Sequence, residues 1–227
     1  MLERVLNLIS TEELDKFRNS NILLVGLGGV GGACFEALVR MGIKKITIVD
    51  GDSFSISNLN RQLLSNLFNI GYIKVKEALL RAKSINQDIL VDSREMFLNE
   101  SNIDLFDYKE YDYIIDCCDT MTTKLLLIKK ALLNDVKIIS CMGTGNRVDP
   151  TKLCITSIWK TSYDPVARVM RKLLRDNGIK DDIKVLYSTE IPIRNGSRVP
   201  GSSAFVPNVA GFDIASYVFN DIINDRK

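Results

Sequence analysis

The chain has 227 residues, no histidine, five cysteines and a formal charge of +2 from 30 basic and 28 acidic side chains. The missing imidazole removes every Ser-His-Asp or Cys-His arrangement, every histidine general base and every His-containing zinc site. Chemistry near neutral pH is left to carboxylates, Lys, Arg, Cys, backbone N–H groups or a borrowed metal ion. The near-balanced charge is no nucleic-acid signature by itself, and the length fits one domain with an elaborated second half.

In chain order, residues 1–20 are mixed and charged, and are expected to form a helix ending before Asn19-Ser20-Asn21. NILLV (Asn21–Val25) is a strand that stops at GLGGVGG (Gly26–Gly32), and ACFEALVRMG (Ala33–Gly42) is a helix with a glycine stop. KKITIVD (Lys44–Asp50) is the next strand, which completes a βαβ unit. A polar, turn-rich stretch (Gly51–Asn66) leads into a helix over Ile73–Ser84. Further strands are expected at Ile89–Asp92, Tyr113–Asp116 and Lys137–Cys141, with a helix over Met121–Asn134 that Thr120 could cap. Beyond it come a basic helix ending near Arg175, a strand at Lys184–Ser188, a loop at Pro192–Pro200 and a packed helix at Val209–Phe219. Alternating short apolar runs and helices predict an α/β fold with a three-layer core and a parallel or mixed sheet.

Cys34, Cys117, Cys118, Cys141 and Cys154 form no CxxC pair, so no zinc ribbon is expected. Their odd number and the lack of a secretion signal point to a reducing, cytoplasmic setting. No apolar run reaches the roughly 20 residues a membrane span needs. Cys117 and Cys118 precede an aspartate that could be functional, yet small buried thiols usually pack, and the same reading covers Cys34 and Cys141.

Charge is uneven. Between Asn86 and Asp119 ten acids face only Arg94 and Lys109, whereas Lys160, Arg168, Arg171, Lys172 and Arg175 face only Asp164. Spacings of three and four put Arg168, Arg171, Lys172 and Arg175 on one helix face. That face either meets solvent or docks a polyanion.

Gly26, Gly28 and Gly31, with Gly29 between them, satisfy G-x-G-x-x-G after a strand and before a helix, and Asp50 ends the next strand. Such a loop presents backbone N–H groups to phosphate at a helix N-terminus, and the strand-end Asp can accept ribose hydroxyls. An NAD-dependent oxidoreductase could use these parts. Arg61 and Lys74 add two fixed positive charges that suit a triphosphate better. Asp116 and Asp119 stand at another strand end, where a carboxylate can hold Mg²⁺ together with phosphate oxygens; Asp119 could instead cap the helix at Thr123.

GLGGVGG, IVDGD, SNLNRQ, GYIKV and DCCDT, in this order and at these spacings, resemble the ThiF/HesA/MoeB superfamily of E1-like adenylating enzymes. The resemblance implies a Rossmann-like fold that binds ATP and Mg²⁺ and activates a carboxylate as an acyl-adenylate. Carried over by motif, Gly26, Gly28, Gly29, Gly31, Asp50, Asp52, Asn58, Arg61, Lys74 and Asp119 hold the nucleotide. Arg61, Lys74 and Asp119 assist catalysis, and Asp119 holds the metal. Arg4 matches an N-terminal Arg that reaches a partner subunit's ATP, which implies a homodimer.

The second half, with Lys160-Thr161, Asp164-Pro165, Arg168-Val169, Tyr187–Glu190, Gly201-Ser202, Phe205–Pro207 and Ala210-Gly211, resembles the tRNA threonylcarbamoyladenosine dehydratase branch of that superfamily. This implies ATP-dependent cyclisation of threonylcarbamoyladenosine at position 37 of tRNA. Lys160, Arg168, Arg171, Arg175 and Glu190 are then the candidate substrate contacts, with Glu190 or Asp164 available as a base. The expected organisation is a single domain over 1–227, with an ATP-binding core at 20–145 and a tRNA-binding part and closing helix at 146–227. The alternative in the same superfamily is adenylation of the C-terminal carboxylate of a ubiquitin-like sulfur carrier, with a sulfur-transfer or cysteine desulfurase partner. A chain ending soon after its last helix carries no hydrophobic extension, so membrane association is not expected.

Overall fold

Strand β1 (Asn21–Val25) is buried along its whole length. Ile22 and Leu24 enter one core cluster, and Leu23 and Val25 enter another. Successive side chains of a strand point to opposite faces, so a strand covered on both faces needs an unbroken apolar run. NILLV supplies it. The computed structural model describes residues 1–193, 196–197 and 199–224. Arg194, Asn195 and Arg198 of the expected Pro192–Pro200 loop, and Asp225, Arg226 and Lys227 at the end, lie outside the described residues.

Around β1 the chain builds α2 (Gly29–Arg40), β2 (Lys45–Val49), α3 (Lys74–Ile85), β3 (Leu90–Arg94), β4 (Tyr113–Asp116), α4 (Met121–Leu133) and β5 (Lys137–Cys141). The sheet order is β3-β2-β1-β4-β5-β7-β6, with β6 at Leu153–Ser157 and β7 at Lys184–Ser188. All neighbours are parallel except the β6–β7 pair. α2 and α6 (Phe205–Ile223) supply buried side chains to one face, and α4 and α5 (Pro165–Asp176) to the other. This is the expected three-layer α/β architecture. After β3 the chain returns to the other side of β1, which places a crevice beyond the C-terminal ends of β1 and β4. Among the described residues, no helix is long and apolar enough to cross a membrane.

Several boundaries differ from the sequence expectation. The N-terminal helix α1 occupies only Thr11–Asn19. Ser10 and Glu13 form a capping box, with Glu13 N donating to Ser10 Oγ at 3.2 Å and Ser10 N to Glu13 Oε2 at 2.8 Å, so residues 1–10 are turns. α2 begins at Gly29, inside the glycine run. Thr120 precedes α4 without a side-chain capping bond. Strand β6 was not expected; it follows a turn capped by Asp149 and pairs antiparallel with β7. α6 starts four residues earlier than expected, with Pro207 in its first turn, where a missing N–H costs nothing.

α2 and α6 lie so close that a Cβ on Gly211 would stand 2.3 Å from the Val30 carbonyl oxygen and 2.7 Å from Ala33 Cβ. Gly211→Ala is therefore expected to destabilise the fold by at least ~1–3 kcal/mol, the usual cost of overpacking. A urea melt checks it; an unchanged midpoint would mean that the two helices separate freely.

Candidate active site

A cavity of about 800 Å³ opens at the sheet's crevice, and its wall includes Gly26, Gly28, Gly29, Asp50, Asp52, Asn58, Arg61, Lys74 and Asp119. The structure thus brings nine of the motif residues to one place. Gly28 is the N-cap of α2 and has no side chain, so the N–H groups of the first helical turn are left open to an anion. Gly31 is the exception. It is off the cavity wall, and a Cβ there would stand 1.8 Å from the Gly26 carbonyl oxygen. The structure gives it a close-packing role, helix on loop.

Asp50 accepts the Leu27 N–H at 2.6 Å through Oδ2 and the Asp52 N–H at 2.8 Å through Oδ1. Burial raises its carboxyl pKa above the usual value, while Lys74 and the two N–H groups work against that rise. Lys74 opens α3, is only 4% exposed, and places Nζ 2.8 Å from Asp52 Oδ2 and 4.0 Å from Asp50 Oδ1. A short antiparallel bridge between Ser53 and Ile73 brings it there. Arg61 donates Nη1 to the Ser57 carbonyl at 2.5 Å and to Asn60 Oδ1 at 3.0 Å. Its own carbonyl accepts from Asn208 Nδ2 of α6 at 3.1 Å. Asn58 is held by Ser55 N–H donating to Oδ1 at 3.0 Å.

The two candidate metal carboxylates separate cleanly. Asp119 is exposed on the cavity wall, and among the described residues its carboxylate accepts only the Thr120 hydroxyl at 3.4 Å. It does not cap α4. Asp116 is fully buried instead. It pairs with Lys124 at 3.1 Å and accepts the Ser140 hydroxyl at 2.5 Å and the Cys118 N–H at 3.2 Å. That network holds the loop carrying Asp119 from below, and leaves Asp116 unavailable to a metal.

Cys117 and Cys118 line the cavity, but burial pushes both thiols above their ordinary value; Cys141 is pushed up to about 12 and Cys34 is raised as well. Protonated thiols are poor nucleophiles, in keeping with the packing role read from the sequence. Sequence reasoning missed Lys124 and the wall segment Met96–Asn99. Lys124 sits in an otherwise apolar helix face, and Met96–Asn99 follows a strand end at the crevice; these were the available signals.

The second-half candidates do not join the cavity wall. Glu190 accepts from Val148 N–H at 3.2 Å and Asp149 N–H at 3.0 Å, so it fastens a turn and is not placed as a base. Asp164 is the N-cap of α5, accepting from Val166, Ala167 and Gly143 N–H groups. Arg171 is half-buried and donates to Thr161. Lys160, Arg168 and Arg175 are exposed. Through Asp164 the helix begins beside Gly143, at the C-terminal end of β5. At 1.5 Å per residue, Arg168 lies about 6 Å and Arg175 about 16 Å along the axis from that cap. Arg4 is exposed and off the cavity wall.

The second half does reach the cavity by another route. Ser202 and Pro207 stand on its wall, so the nucleotide motifs share it with residues from the far end of the chain.

The ThiF family model matches residues 2–164. A tRNA threonylcarbamoyladenosine dehydratase of Bacillus subtilis is 38% identical over 234 residues, covering 96% of this chain and 92% of that protein. The crystal structure of the E. coli tRNA N6-threonylcarbamoyladenosine dehydratase TcdA in complex with AMP superposes with a TM-score of 0.92 at 30% identity, covering 97% of this chain and 92% of that one; the same enzyme has been solved with ATP. The adenylyltransferase and sulfurtransferase UBA4 of Saccharomyces cerevisiae (strain YJM789) is 34% identical over 144 residues, but the match spans 63% of this chain and only 32% of that protein. The glycine loop, the strand-end aspartate and the Arg–Lys–Asp set therefore stand in a chain that belongs to the ThiF family, in its tRNA threonylcarbamoyladenosine dehydratase branch.

Proposed function

We propose that this chain catalyses the ATP-dependent dehydration of threonylcarbamoyladenosine at position 37 of tRNA. The observation that carries the reading is a single cavity in which Asp50, Arg61, Lys74 and Asp119 share a wall with Ser202 and Pro207 of the second half. A triphosphate and a carboxylate substrate can meet there.

The substrate carboxylate attacks the α-phosphorus of ATP and pyrophosphate leaves. A nucleophile within the same modification then attacks the activated carbonyl, AMP leaves and the ring closes, with net loss of one water. In the first step the glycine loop and the open N–H groups of α2 bind phosphate, Asp50 accepts ribose hydroxyls, and Arg61 and Lys74 stabilise charge growing on the phosphates. Ring closure is intramolecular, so holding the modification in position supplies much of the rate. No imidazole is needed for either step.

The donor set also fits a magnesium ion. Among the described residues, no group of three or more His, Cys, Asp or Glu side chains stands ready to hold a metal alone. Mg²⁺ is commonly held by one or two carboxylates plus phosphate oxygens, which suits the exposed Asp119. When bound there, the ion would shield the phosphates from one another. In this reading residues 20–145 serve ATP and residues 146–227 serve the tRNA. Arg4 acts across a homodimer on the partner's nucleotide. A sulfur-transfer or cysteine desulfurase partner would associate without a thiol relay through Cys117 or Cys118, whose thiols stay protonated.

The experiment that tests the reading is AMP and pyrophosphate release with threonylcarbamoylated tRNA, unmodified tRNA or a ubiquitin-like carrier as the added substrate. Release with modified tRNA alone supports it. Release with the carrier alone would move the function to sulfur-carrier adenylation.

Exposed Arg168 and Arg175 give the tRNA backbone two phosphate contacts. Reversing both, Arg168→Glu with Arg175→Glu, is expected to weaken binding of modified and unmodified tRNA alike. The slope of log K against log salt should fall by about one per residue. Filter binding across a salt series reads it; an unchanged slope would return this face to solvent.

A further inference from the structure

We infer that Asn60 is a positioning residue that ties the Arg61 guanidinium to the Gly201–Ser203 segment at the substrate end of the cavity; this rests on the function proposed above. The two ends of its side chain face in different directions. Oδ1 accepts from Arg61 Nη1 at 3.0 Å, and Nδ2 donates to the Ser202 carbonyl at 2.9 Å, across 142 residues of sequence. Arg61 can only donate and a carbonyl can only accept, so the amide has one orientation that satisfies both. Neither Asp nor Ser can reproduce it.

The far side of that segment is fastened separately. Asn146 donates its N–H to the Gly201 carbonyl at 2.7 Å and accepts the Gly201 N–H through Oδ1 at 2.6 Å. Asn146 has a φ of 58°, in the left-handed region that Asn tolerates better than most residues. The segment from Gly201 to Ser202 thus spans from the loop after β5 to the SNLNRQ loop, with Ser202 on the cavity wall. Asn60 is the link between this span and the arginine that meets the phosphates.

Asn60 is exposed, so its two bonds contribute little to folding. Their effect falls on the site. Losing one of the two anchors on a charged guanidinium, the other being the Ser57 carbonyl, should lower kcat for AMP formation by about tenfold, and losing the neutral bond to Ser202 should raise KM for modified tRNA about threefold. KM for ATP should stay near wild type, because the glycine loop, Asp50 and Lys74 are untouched.

The test uses Asn60→Ala, Asn60→Asp, Arg61→Ala and the Asn60→Ala/Arg61→Ala double variant, each with kcat and both KM values. Asn60→Ala is expected to lower kcat and raise KM for tRNA. Asn60→Asp keeps an acceptor for Arg61 but sets a carboxylate oxygen against the Ser202 carbonyl, so it should retain kcat and still raise KM for tRNA. In the double variant kcat should equal that of Arg61→Ala alone. Multiplying kcat losses, or an Asn60→Asp variant as slow as Asn60→Ala, would overturn the inference. Wild-type protein that forms no AMP with modified tRNA would instead refute the proposed function, so the two failures are distinguishable.

Discussion

Lys74→Met is expected to slow AMP formation on modified tRNA by roughly 10²–10³-fold, the effect of removing one preorganised donor from a developing charge. Met nearly matches the volume of the buried lysine stem, so the fold should survive the change. The site would not. Lys74 Nζ lies 2.8 Å from Asp52 and 4.0 Å from Asp50, and without it these two carboxylates lose that counter-charge. A pH signature follows. Burial already raises the Asp50 carboxyl, and Lys74 is the largest influence holding it down. Without the lysine that pKa rises further. In the proposed site ribose binding would use the ionised form, so the acid limb of the residual activity should move to higher pH. The same residue is a stability element with a definite sign. A carboxyl whose folded pKa exceeds its unfolded value of about 3.9 contributes stability below that value, and loses it as pH rises through the folded pKa. Steady-state rates from pH 5 to 9 read the activity effect. A variant within threefold of wild type, with an unmoved acid limb, would remove Lys74 from the catalytic set.

Lys124→Met is expected to have the largest effect on stability. The Lys124–Asp116 pair is almost wholly inside the protein, with side-chain exposures of 2% and 0%. Lys124 also donates to the Cys141 carbonyl at 2.7 Å. Burial alone pulls the ammonium pKa down, but Asp116 and the neighbouring thiols together lift it above the usual lysine value. Its stabilisation is therefore fully present below the unfolded lysine pKa of about 10.4 and lost only as pH rises beyond that. Removing one partner of such a pair strands the other charge, which costs about 3–5 kcal/mol. For a domain of this size each kcal/mol shifts Tm by roughly 2–4 °C, so the drop should be on the order of 10 °C. Lys124→Met combined with Asp116→Asn leaves no charge stranded and should recover part of it. Calorimetry at pH 7 decides: equal melting of the single variant and wild type would mean that water reaches the pair.

The sequence made the nucleotide side of the molecule legible because its parts are local. A glycine run must lie between strand and helix, and an apolar run covered on both faces reads as a strand; the bounds of β1, β4, β5 and β7 follow from that. The features that escaped depend on distant chain. LCITS is too mixed to announce β6, and becomes a strand by pairing with β7. A lysine in an apolar helix reads as a solvated residue, and Lys124 is buried only because Asp116 ends a strand beneath it. Glu190 could pass for a base until its carboxylate was placed against two backbone N–H groups more than forty residues away. Asp116 and Asp119 both stand at the strand end in DCCDT; the motif resemblance singled out Asp119, and Asp116 is buried against Lys124.

Absence of histidine struck most hydrolytic chemistry from consideration, and the cavity is consistent with that loss. Fixed positive charge, an exposed carboxylate and a ring closure within the substrate require no imidazole. The measurement that tests this most directly is the mass of the modified nucleoside after the full chain is incubated with ATP, Mg²⁺ and threonylcarbamoylated tRNA. The expected product is a nucleoside lighter by one water, formed with one AMP per conversion. An unchanged nucleoside mass, with ATP bound in the cavity, would contradict it.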